Sequence, residues 1–100
     1  NKARAELESA IVKQFAHGVY DRMLGEDNGD VDKVREAEAK INKALERQAD
    51  WNATNPNFPI VFESRQLRDK VLNITLSRKE RVIRHSPKEI RAAVQESLGE

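Results

Sequence analysis

The sequence contains no cysteine, which excludes disulfides, thiolate metal ligands and a thiol nucleophile. Aromatic side chains are scarce, with three Phe, one Trp and one Tyr in 100 residues. Proline is confined to Pro56, Pro59 and Pro87, and neither an internal repeat nor a low-complexity tract is present. No apolar run approaches the ~18 residues that a membrane-spanning helix needs. An excess of one charge sign is missing too: 18 basic side chains face 17 acidic ones, for a net charge of +1. No Walker loop, dinucleotide fingerprint or Gly-flanked nucleophile serine occurs. The expectation is therefore no enzyme, no catalytic residue, no cofactor and no metal.

What is present is helical patterning. Hydrophobic residues make up 38% and charged residues 35%, a balance that suits helices with one apolar stripe and a wet opposite face. One hundred residues allow one domain with a modest core. The chain begins at Asn1, not Met, which fits a fragment or a processed chain. The expected fold is all-α, a single helical domain or fragment over residues 1–100. An antiparallel hairpin (1–51) leads into a Pro-containing joint (52–63) and then two or three shorter basic helices (64–100).

Leu7, Ile11, Phe15, Val19 and Met23 recur every four residues and predict a helix over 2–24, with Gly25 as its C-cap. Gly18 interrupts that pattern and calls for a close helix neighbour or marks a weak point. Asp30 caps a second helix, 31–51, whose inward positions include Val34, Ala37, Ile41 and Ala44. Pro56 and Pro59 stop both flanking helices from crossing the joint. Trp51, Phe58 and Phe62 are its candidate packing groups, and Trp51 is the expected anchor. Ser64, Ser77 and Ser86 each read as N-caps, for helices over 64–74, 78–84 and 87–98. Ser77/Glu80 and Ser86/Glu89 have capping-box spacing, and Pro87 sits at the favoured first helical position.

Three constellations invite a chemical reading. Asp27 to Glu38 has the outline of a calcium loop, but Asp32 stands where the turn glycine belongs and Val31 at a ligand position, so a capped turn fits better. His17 and His85 are far apart and lack metal-ligand spacing, which makes them ordinary helix-end or interface residues. The third is electrostatic. Residues 1–55 carry nine basic and eleven acidic groups, whereas residues 64–91 carry nine basic groups against Asp69, Glu80 and Glu89. Arg65, Arg68, Arg78, Lys79, Lys88 and Arg91 are candidate anion contacts, chiefly to DNA phosphates. The plainer reading of these cations is the solvated face of helices. Because a chain this small and charged buries limited surface, Leu7, Ile11, Phe15 and Val19 form the expected assembly face toward another subunit.

The order Trp51-Asn52-Ala53-Thr54-Asn55-Pro56-Asn57-Phe58-Pro59-Ile60, then Ser64-Arg65-Gln66-Leu67-Arg68, then Leu76-Ser77-Arg78-Lys79-Glu80-Arg81 carries a resemblance. Residues 41–82 resemble a stretch of very large tailed-phage internal proteins, the polyvalent PLxRFG-type and ejection (internal virion) proteins. The PLxRFG motif itself is absent. The resemblance implies a non-enzymatic virion component, placed in the host cytoplasm during assembly and then in the particle near the portal. Its implied partners are portal or other internal virion subunits, with homo-oligomerisation. The rival expectation is a small helical DNA-binding or packaging adaptor that uses the basic 64–91 region.

Overall fold

Asn1 opens the first helix by accepting, through Oδ1, a hydrogen bond from the backbone N–H of Arg4 at 3.2 Å. From there the chain runs as α1 (Lys2–Asp27), α2 (Val31–Thr54), α3 (Ser64–Ser77) and α4 (Pro87–Leu98). The computed structural model describes residues 1–78 and 85–99, and among them the fold is all helical. A long hairpin is followed by an irregular joint and shorter helices, as the sequence patterning predicts. The 26 residues of α1 rise about 39 Å, which accounts for the 41 Å long axis of the molecule.

The hairpin packs closely because α1 has no side chain where α2 crosses it. A Cβ at Gly18 would lie 2.7 Å from Ile41 Cγ1 and 3.2 Å from the Ala37 carbonyl oxygen. One at Gly25 would meet Val34 Cγ2 at 3.0 Å. Gly18 thus marks a close helix neighbour. Gly25 is not the expected C-cap: α1 continues to Asp27 and is capped by Asn28, whose N–H reaches the Leu24 carbonyl. The Asp30 cap of α2 forms as expected, accepting from the Lys33 N–H at 3.1 Å. Across the hairpin Lys40 pairs with Asp21 at 2.8 Å, and Arg47 donates to Gln14 Oε1 at 2.6 Å.

The second half of α1 is buried nearly all round, since α2, α3 and α4 all pack against it. Three of the four residues of the expected assembly face are therefore covered by their own chain. Ile11, Phe15 and Val19 are each 0% exposed within their own chain, and Leu7 is half-buried at the edge of the same cluster. The single four-residue stripe suggested one inward face. In fact Val12, Ala16, Tyr20 and Leu24 are buried on the adjoining face, so the helix is a central one with little solvent side. Ile60, Leu67, Val71, Ile90 and Val94 complete the core from the joint, α3 and α4.

Two expected serine caps take other roles. Ser64 is the first residue of α3 and Glu63 its cap, with no side-chain capping bond. Ser77 closes α3, its hydroxyl donating to the Ile74 carbonyl at 3.0 Å. The expected 78–84 helix lies outside the described residues except for Arg78, which is extended. Ser86 forms the expected capping box with Glu89, and Pro87 opens α4. Gly99 closes it in the left-handed region at φ 82°.

Candidate nucleic-acid interface

Helices α3 and α4 pack on each other and on α1, and each turns one basic face to solvent. On α3, Arg65 and Arg68 are three apart and Leu72 continues the row, so the cations share a face. On α4, Lys88 and Arg91 have the same spacing. Where the rows meet, Arg68, Lys88 and Arg91 line a groove of about 380 Å³ floored by Leu72, Pro87 and Ile90. Asp69 is the one carboxylate in its wall. Among the described residues, none of Arg65, Arg68, Lys88 and Arg91 enters an ion pair, whereas Arg4, Arg22, Arg35 and Lys40 all do. Three cations against one anion leave the groove positive. The first turn of α4 adds the partial positive charge of its backbone N–H groups.

The other two candidate contacts are elsewhere. Arg78 sits ten residues beyond Arg68, about 15 Å along a helix. Its guanidinium lies 5.6 Å from the Tyr20 ring centroid and donates toward His17 Nδ1 at 3.3 Å. Lys79 lies outside the described residues. Burial, and then the Arg78 charge, lower the pKa of His17 below 6.5, so this ring accepts from Arg78 in its neutral form.

His85 behaves in the opposite way. Its Nδ1 lies 2.9 Å from Glu89 Oε2, and its Nε2 lies 2.9 Å from Asp27 Oδ1 and 3.0 Å from Oδ2. Burial of the ring works against its charge, but the hydrogen bonds and charges of Asp27 and then Glu89 outweigh burial and raise its pKa above 6.5. Glu89 is held below its ordinary 4.5 by the Ser86 backbone N–H first and by His85 second. No group of three or more His, Asp and Glu among the described residues is arranged to hold a metal ion. Half of this cluster is written in the sequence as the four-residue step from His85 to Glu89. Asp27, 58 positions from His85, carries no sequence signal of the pairing.

The joint is fastened by side chains rather than by a strand. Trp51 is half-buried, and its Nε1 donates to the Phe58 carbonyl at 2.7 Å. It therefore meets Phe58 at the backbone, while Phe58 as a whole is 50% exposed. Phe62 packs on Phe15 with ring centroids 5.2 Å apart. The residue that sequence reasoning did not single out is Asn52. Its Oδ1 accepts from the Ile60 N–H at 2.7 Å and its Nδ2 donates to the Ile60 carbonyl at 3.0 Å. Gln48 donates to the same carbonyl at 2.8 Å, and Arg4 donates to that of Pro59 at 2.9 Å. Asn55 caps α2 on the Trp51 carbonyl and opens a turn that Phe58 N–H closes at 3.0 Å, with Pro56 at its second position. The Trp-Asn…Asn-Pro…Pro-Ile order is, physically, this set of fastenings.

Comparison with protein-family models, curated proteins and solved structures gives no match. No helix among the described residues is long and apolar enough to cross a membrane.

Proposed function

We propose that this chain is a non-enzymatic helical module that binds nucleic acid through its phosphates, using the groove between α3 and α4. The observation that carries this reading is the convergence of Arg68, Lys88 and Arg91 on one groove, with no ion pair to any of them among the described residues. Cations without an ion-pair partner among the described residues are available to replace the counterions of a polyanion. Base reading is not part of the proposal. Phe15 and Tyr20 are in the core and Trp51, Phe58 and Phe62 belong to the joint, so the groove offers no stacking surface. Within the resemblance to internal virion proteins of tailed phages, the module would travel with the genome and serve packaging or ejection.

Fluorescence anisotropy with a labelled duplex of arbitrary sequence tests it. Binding should be indifferent to sequence and should weaken linearly in log K against log salt. A slope of about −3 is expected if the three groove cations each meet one phosphate. Arg68→Gln combined with Arg91→Gln should flatten that slope. An affinity unaffected by salt or by this double substitution refutes the reading.

A second reading, the homo-oligomerisation implied by the resemblance to internal virion proteins, is favoured by one observation. Phe58 and Val61 are 50% and 63% exposed beside the half-buried Trp51. The protein-protein face then belongs to the joint rather than to α1. Sedimentation of the wild type against Phe58→Ser with Val61→Ser would reveal it as a loss of self-association.

A further inference from the structure

A histidine whose two ring nitrogens both face carboxylate oxygens is constrained in a way that one hydrogen bond would not impose. An ionised carboxylate can only accept, and a neutral imidazole donates from one nitrogen alone. The geometry around His85, with Glu89 at 2.9 Å from Nδ1 and Asp27 at 2.9 Å from Nε2, is satisfied on both sides only by the doubly protonated ring. We propose that Asp27, His85 and Glu89 form a pH-operated clasp that fastens the start of α4 to the end of α1.

Loss of the ring proton leaves one carboxylate facing a nitrogen lone pair, so that side of the bridge becomes repulsive. Because Glu89 is only four residues away, in the first turn of the helix that His85 precedes, while Asp27 belongs to α1, the local bond survives more readily than the one that reaches across to α1. On α1 the charged group facing the ring is Asp27, and on α4 it is Glu89. The raised pKa of His85 agrees with the geometry. A second fastening, Arg22 donating to the Ala93 carbonyl at 3.1 Å, lies further along α4 and does not involve His85. Release therefore frees the first turn of α4 and leaves its middle docked. That first turn carries Lys88. The clasp stands on its own geometry, and only its bearing on phosphate contacts rests on the proposed function.

The test is an NMR titration of the intact chain, following the histidine ring nitrogens and the amide exchange of α4. In the wild type, His85 should titrate above 6.5 and His17 below it. Exchange in the first turn of α4 should quicken several-fold as the pH rises through the His85 midpoint, with the α1 and α2 core amides unmoved after correction for intrinsic exchange. Asp27→Asn should lower the His85 midpoint and give rapid first-turn exchange on both sides of it, while an unchanged His17 midpoint shows that the fold is intact. A wild-type His85 midpoint at or below 6.5, or first-turn protection that is the same above and below the midpoint, overturns the clasp. Neither measurement involves nucleic acid, so a failure of binding leaves this result unaffected.

Discussion

Asn52 imitates a backbone: one side-chain amide donates to and accepts from Ile60, as a neighbouring strand would. Ile60 is 0% exposed, so its peptide groups need protein partners to offset the loss of water. Asn52→Ala should cost about 1–3 kcal/mol by leaving the Ile60 N–H without a partner. The urea midpoint would fall with little change in slope. Asn52→Asp keeps the acceptor but sets a carboxylate oxygen against the Ile60 carbonyl, so it should not restore the wild-type midpoint. Trp51→Phe loses the bond to the Phe58 carbonyl, about 1 kcal/mol, together with part of the packing of the larger ring on the core. At the other end of α3, Arg78→Ala should raise the His17 midpoint, since it removes a neighbouring positive charge but not the burial. A ring-proton titration reads this directly.

The hairpin depends on an interval of empty space at Gly18. Gly18→Ala improves helix propensity by about 1 kcal/mol, yet it places a methyl 2.7 Å from buried Ile41. Overpacking of about 1–3 kcal/mol should prevail, and thermal unfolding should show a lower midpoint. In α4, Ser86→Ala removes the cap and should cost about 1 kcal/mol. How much of this was legible depended on the range of the interaction. The α4 start was fully legible because Ser86, Pro87 and Glu89 settle it among themselves. The helices of the hairpin were legible from apolar spacing. Ser77 was misread because a serine hydroxyl can end one helix as readily as begin another, and no local signal separates the two. The α1 stripe was misassigned because spacing says which residues are buried, but not whether the cover comes from the same chain. Of the candidate groove, the cations were legible. Their division into Arg68, Lys88 and Arg91 on one side and Arg78 on the other follows from how α3 lies against α1, which sequence spacing does not encode.

At the scale of the whole molecule, the two histidines give stability opposite dependences on pH. The folded pKa of His85 is raised, so its contribution is complete below 6.5 and is lost as pH rises through the folded value. The folded pKa of His17 is lowered, so its contribution is complete above 6.5 and is lost as pH falls toward the folded value. Glu89, whose pKa is also lowered, acts in the same sense below 4.5. Thermal midpoints measured across pH should therefore decline on the alkaline side through His85, and His85→Gln should level that side alone.

The central position of α1 also has a consequence in time. Its contacts with α2 are joined by a three-residue turn, and such local pairs form before distant ones. The hairpin can then serve as the template on which α3 and α4 settle. The final helix, the shortest of the described helices at 12 residues, would be the earliest of them to detach and the hairpin the last. A native chain would thus spend brief intervals with α4 lifted while the other described helices persist, exposing Ile90 and Val94 to any surface waiting beside them.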